Sequence, residues 1–304
     1  MDMELVADDL WFPEGPIAMA DGSVLLVEIR RNTLTRVLPD GRKEIIAEIP
    51  GGPNGAAMGP DGACYICNNG GFEWVERPGG VIGPHGTAAG YTNGSIQRVD
   101  LKTGAVRTLY TECDGRKLGG PNDLVFDRSG GFWFSDAGKS DIERLLWGRV
   151  FYARPDGSMI RCAREPMVTA NGVGLSPDEK QLHVAETLTG RLWTFDIAGP
   201  GEIAPPSDFW AKPNIMGPLP GQWPLDSLAV EADGRVCVAT LRNGGITIFD
   251  PRGGIEQVAV PDPMVTNICF GGSDMQDAWI TASGLGKLFK CRWPRPGLKL
   301  NFNA

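Results

Sequence analysis

No apolar run in this 304-residue sequence approaches the roughly 20 residues that a membrane-spanning helix needs. The acidic start Met1-Asp2-Met3-Glu4 has neither the basic n-region nor the apolar h-region of a signal peptide. The expectation is a soluble, cytoplasmic protein. Positive charge is also in deficit, 29 Lys and Arg against 37 Asp and Glu, for a net charge of −8 and a pI near 4.9. That balance argues against nucleic acid and against an anionic membrane as partners, and leaves metal ions and small molecules open. Familiar catalytic signatures are missing too. There is no GxSxG elbow and no HExxH pair, and Gly138-Lys139-Ser140 lacks the upstream glycine of a phosphate-binding loop because Trp133 stands there. Seven cysteines, an odd number scattered through strand-like segments, fit a reducing compartment better than a disulfide framework. Cys64 and Cys67 form a CxxC, but residues three apart in a strand face opposite sides, so the pair reads as buried structural thiols.

What the sequence does contain is a spacing. Glu14, Asn54, Asn122, Asn171, Asp226 and Asn267 are each followed seven positions later by Asp21, Asp61, Ser129, Asp178, Asp233 and Asp274. Six recurrences without slippage report a repeated structural unit. After each turn comes a short apolar or β-branched stretch, from Val24 to Ile29 in the first unit and from Ala278 to Thr281 in the sixth. A third strand follows in every unit, several of them ending in hairpin signals such as Pro39-Asp40-Gly41 and Pro155-Asp156-Gly157. Fourth strands are expected at Glu44 to Ile49, Val106 to Thr111, Met159 to Arg164, more loosely around Asp208 to Ala211, and at Gln257 to Val260. The sixth unit has none of its own, and Glu4 to Asp8 supplies it. The expected architecture is therefore all-β, a six-bladed β-propeller of four-stranded blades closed by the N-terminal strand, with residues 1–304 as a single domain.

Intervals of 40, 68, 49, 55 and 41 residues between the six polar positions locate three insertions: Gly70 to Asn93, Gly138 to Trp147, and Pro205 to Pro224. The first two join second to third strands, which places them over the face where the six polar residues stand. In a propeller the first strand of each blade lines the channel, so those six become a ring at one mouth. Two carboxylates and four carboxamides present oxygen acceptors to a common centre, and oxygen donors select a hard divalent cation. His85, His183 and the cysteines fall outside the ring, and mid-strand His183 reads as a core residue.

The chain resembles the SMP-30/gluconolactonase family, also called regucalcin-like or luciferin-regenerating-enzyme-like, over essentially its whole length. The residues that carry the resemblance are Pro13-Glu14-Gly15-Pro16, Gly120-Pro121-Asn122-Asp123 with Phe132-Trp133-Phe134-Ser135-Asp136, Asn171-Gly172-Val173-Gly174-Leu175-Ser176-Pro177-Asp178, Leu225-Asp226-Ser227-Leu228, and Cys269-Phe270-Gly271-Gly272. It implies one divalent metal held by Glu14, Asn171 and Asp226, with Asn122 either a fourth ligand or a substrate contact. Calcium is the leading candidate, with zinc, magnesium, manganese or iron as alternatives. It also implies a hydrolase of a cyclic ester, commonly a sugar-acid lactone, in which the metal polarises the carbonyl and Asp226 serves as base or nucleophile. Phosphotriester hydrolysis and a non-catalytic, metal- or ligand-binding propeller are the alternatives. Asn54, Asn267, His85 and Trp223 join Asn122 as candidate substrate contacts, and Trp11, Phe12 and Trp74 as candidate walls. The +7 aspartates read as turn residues at the opposite mouth, and Asp136 as either a support for the site or a structural residue. Nothing in the sequence speaks to oligomeric state.

Overall fold

The structure, a computed structural model, describes residues 1–141, 143–205, 215–218, 221 and 223–303. Six antiparallel sheets form a six-bladed β-propeller, and no helix occurs among the described residues. The innermost strands are Pro13–Ala18, Pro53–Met58, Pro121–Phe126, Ala170–Leu175, Leu225–Val230 and Val265–Gly271. Each packs against the next and the sixth against the first, so the ring is closed. Glu4–Ala7 pairs antiparallel with Lys287–Arg292 and completes the sixth blade, as the spacing implied.

Inner and second strands are buried because blades cover both of their faces. Val24–Glu28 and Cys64–Asn68 are buried at every position, whereas outer strands such as Lys43–Glu48 are mostly exposed. Adjacent blades share a core at each junction. Cys64 belongs to the cluster between blades one and two with Leu25, Val27 and Ile66, while Cys67 lies between blades two and three with Phe132 and Phe151. The two CxxC thiols thus serve separate cores.

Three features go beyond the expected plan. The first insertion folds into a hairpin, Phe72–Arg77 with Val81–Thr87. A second small hairpin, Glu112–Cys113 with Arg116–Lys117, precedes blade three. In blade four the expected outer strand at Asp208 to Ala211 lies outside the described residues, and Ile215–Pro218 pairs with Arg191–Gly199. Beyond Pro294-Arg295-Pro296-Gly297 the chain crosses the underside of the propeller. Leu298 N donates to Val230 O, Asn301 Nδ2 donates to Phe126 O, and Phe302 packs on Phe126.

Candidate functional site

The six polar residues converge because the pairing of every innermost strand slips once beside them. The register shifts fall between Glu14 and Ile17, Pro53 and Ala56, Pro121 and Leu124, Ala170 and Val173, Leu225 and Leu228, and Val265 and Asn267. A bulge inserts a residue and re-aims its neighbours, which is why bulges gather beside sites. The strands meet closely here. A β-carbon at Gly15 (φ +52°) would lie 2.6 Å from Ala56 N, and one at Gly172 would lie 2.7 Å from Leu228 N and 2.8 Å from Asp226 O. Phe12 and Thr169, each two residues ahead of a ring member, hold positive φ values of 60° and 52°, a strained conformation of the kind that clusters at functional sites.

All six ring residues are buried. Glu14 Oε2 accepts from Gly15 N at 2.7 Å and from Asn267 Nδ2 at 2.8 Å. Asn171 Nδ2 donates to Thr187 Oγ1 at 3.0 Å, and Ser227 Oγ donates to Asn171 Oδ1 at 3.4 Å. Asn54 completes the circle between Glu14 and Asn122. Asn122 Oδ1 is buried without a hydrogen-bond partner among the described residues.

A further carboxylate, not singled out from the sequence, sits among them. Asp123 occupies the position that carries Gly15, Gly55 and Gly172 in other blades, and it is buried, its Oδ1 accepting from Leu124 N at 2.9 Å. Strict alternation along a strand turns the residue after Asn122 away from the channel, and the bulge overrides that alternation. The signal available was a carboxylate standing where sister repeats carry glycine.

Burial raises all three carboxyls, Glu14, Asp123 and Asp226. Burial pushes the Glu14 carboxyl well above its ordinary range, with the charges of Asp226 and Asp123 adding to the shift. Asp226 is pushed up to about 7, first by burial and further by Asp123, against the opposing bond from Asn171. Asp123 is likewise pushed up to about 7 by burial, against bonds from Leu124 N, Ser227 and Val173 N. All three carboxyls are raised because burial desolvates them and no cationic side chain offsets it among these contacts. Among the described residues no three His, Cys, Asp or Glu side chains form a ready-made metal cage. The donors here are mixed instead, carboxylates with carboxamides, and the unpartnered Asn122 Oδ1 adds an oxygen that nothing else satisfies. That chemistry fits a hard divalent cation.

Around the mouth the insertions form walls. The hairpin from blade two reaches across to blade six, where Ile82 N donates to Gly284 O at 2.8 Å, and Trp74 stacks obliquely on Phe12 at 4.9 Å. Lys139, from the blade-three insertion, ties the two loops together. Its Nζ donates to Gly71 O at 2.8 Å and Asn69 Oδ1 at 3.2 Å and lies 3.9 Å from the centre of the Phe72 ring. Burial pushes that amine down to about 7, against the pull of Asp136. Asp136 itself accepts from Gly119 N, Gly120 N and Gly138 N at 2.8, 2.6 and 2.8 Å, so it shapes the entry to Asn122. His85 is exposed on the hairpin, Trp11 lies exposed beneath the guanidiniums of Arg30 and Arg31, and Trp223 is 37% exposed three residues ahead of Asp226. His183 is a core residue, its Nδ1 3.0 Å from Thr194 Oγ1 and its pKa pushed down to about 4 by burial.

A closed six-bladed propeller with one mouth lined by oxygen donors defines a class of small-molecule sites. The chain belongs to the SMP-30/gluconolactonase/LRE-like family, whose model matches residues 12–284. A gluconolactonase of Zymomonas mobilis is 25% identical, the match covering 92% of this chain and 79% of that protein. A lactonase of Staphylococcus saprophyticus is 29% identical over 82% of this chain and 69% of its own. Among solved structures, a gluconolactonase of Xanthomonas campestris superposes with a TM-score of 0.74 at 21% identity, covering 96% of this chain and 89% of that one. Regucalcin of Agrobacterium tumefaciens, described as a calcium-binding protein, gives 0.68 at 17% identity over 96% and 95%. The structural likenesses speak for the fold.

Proposed function

We propose that this chain is a lactonase-type hydrolase that opens a cyclic ester at the oxygen-lined mouth. The observation that carries the reading is the cluster of buried Glu14, Asp123 and Asp226 beside the unpartnered Asn122 Oδ1, in a chain whose relatives are named gluconolactonase and lactonase. Glu14, Asn171 and Asp226 would hold a divalent ion, calcium first, with Asn122 as a further ligand or the group that meets the ester. When bound, the ion supplies Lewis-acid polarisation of the ester carbonyl.

The chain's own residues do the rest. Asp226 accepts a proton from the attacking water as the water oxygen bonds to the carbonyl carbon. The ring C–O bond then breaks, and the departing ring oxygen takes that proton, leaving a hydroxy acid. Ser227 and Asn171 orient Asp226 and keep its ionised form accessible. Asp123, its carboxyl pushed up to about 7 by burial, would exchange a proton with Asp226 between turnovers. Asn267 fixes the Glu14 carboxylate through Nδ2. The gluconolactonase relatives point to a sugar-acid lactone, while the ring itself asks only for an ester carbonyl.

The test is a panel of lactones assayed with exhaustively chelated protein and again with calcium, magnesium, manganese, zinc or iron restored. Activity that vanishes on chelation and returns with one ion is the expected result. Undiminished activity after chelation would defeat the mechanism.

A further inference from the structure

The rim of the mouth is uneven. Over blades six, one and two the hairpin Phe72–Thr87 forms a roof. Over blades three to five the described residues present large apolar side chains to water. Leu145, Leu146 and Trp147 are 43, 51 and 54% exposed, Leu188 is 61% exposed and Trp223 37%. These five stand in the loops that flank Asn122, Asn171 and Asp226 on three successive blades. Leu146 lies against Gly119, three residues ahead of Asn122, where a β-carbon would meet its Cδ2 at 3.2 Å. Leu188 is tethered beside Asn171, its N donating to Thr169 Oγ1 at 3.0 Å.

Water-exposed apolar side chains gathered in one arc mark a ligand surface. Two hydroxyls beside that arc are engaged, and a third, Ser140 Oγ opposite Leu145, is unpartnered among the described residues but buried away from solvent. Thr169 Oγ1 donates to Val168 O at 2.6 Å and accepts from Leu188 N, and Thr187 Oγ1 accepts from Asn171 Nδ2. A polyhydroxylated ligand would find few free partners there, whereas an alkyl or aryl chain would displace water from five large side chains.

We infer that the rim of blades three to five receives an apolar substituent, so that the preferred substrate is a lactone bearing an alkyl or aryl chain and not a polyol; this rests on the lactonase reading above. With its carbonyl over Asn122 and Asp226, such a lactone lays its chain outward across Leu146, Trp147 and Leu188.

The test compares γ-butyrolactone, γ-hexalactone and γ-nonalactone with glucono-1,5-lactone, using wild type, Leu188→Ser and the double variant Leu188→Ser with Trp147→Ser. In wild type kcat/KM rises about two- to fourfold per methylene over the first carbons of the chain. In the double variant the ratio of nonalactone to butyrolactone falls at least fivefold, and KM carries most of the change. A flat series, or preference for glucono-1,5-lactone in wild type, overturns the inference while leaving the lactonase reading intact. Hydrolysis of none of the lactones in the presence of any of the five ions overturns both. Sedimentation of the same proteins provides the last arm: a wild-type dimer that the double variant splits, with the lactone series unaltered, assigns the rim to a second copy and overturns the substrate role.

Discussion

Acids at the two ends of the same inner strands behave in opposite ways. Glu14 opens its strand at the oxygen-lined mouth, where burial pushes its carboxyl pKa well above the ordinary range. Seven residues on, Asp21 sits in an exposed turn, accepts from Ser23 Oγ at 2.6 Å and Ser23 N at 3.1 Å, pairs with Arg36 and is held below its ordinary range by those bonds. The pattern repeats around the ring. Asp61 accepts from Ala63 N and pairs with Arg98, and Asp274 accepts from Gln276 N and pairs with Arg292. The turn acids are used up by the fold, each matched by a backbone donor and a cation. The mouth acids are left with more negative charge than their protein neighbours balance, which is the property a cation-dependent site needs.

Replacing members of the two sets should separate them. The largest effect belongs to Glu14→Gln and Asp226→Asn, which should each cost roughly a thousandfold in kcat while circular dichroism and the melting temperature show an intact fold. Unfolding of Asp226→Asn would move that residue to a structural role. Next comes the response of chelated protein to pH. Because Asp123 and Asp226 titrate at about 7 when folded and near 4 when unfolded, the folded state binds more protons between those values. Stability should therefore fall as pH rises from about 4 to about 7 and level off above it. A saturating divalent ion should remove that loss, since it binds the ionised form and releases protons; urea unfolding across pH, with and without the ion, checks the sign. Asp123→Asn should lower kcat by ten- to a hundredfold and move the acid limb of the kcat profile, an effect a purely structural residue would not produce. The smallest change is expected at the far mouth. Asp61→Ala loses one turn bond, a bond from Tyr65 Oη and one half-exposed ion pair, about 1 kcal/mol, readable as a melting shift of a few degrees with kcat and KM unchanged.

Much of this arrangement was legible because the repeat is carried by two residues with separate physical duties. One must be polar where the inner strand enters the channel, and the other accepts the N–H two residues on in the turn that leaves it. The second duty holds in five blades, Ser129 of blade three donating to Asp127 instead, and the spacing exposes both. The closing strand Glu4–Ala7 was legible for a similar reason, because a ring with an unpaired edge would have to find a partner. Asp123 was hidden because reading a strand by alternate residues assumes an unbroken register, and the register breaks there. The hairpin's reach to Gly284 was hidden as well, since an insertion's position in the chain says which face it leaves and not where it lands.

The amino-acid order thus determined the number of blades, the side of the channel that carries the polar ring, and the identity of six of its groups, because strand period and turn chemistry are local properties. Packing of blades from opposite ends of the chain decided the rest. It brought Glu14, Asp123 and Asp226, 212 residues apart at the extremes, into one desolvated space where burial raises all three and neighbouring carboxylates add to Glu14 and Asp226, and it set an apolar arc on one half of the rim. Charge coupling and desolvation act through space, so neither exists until the ring has closed.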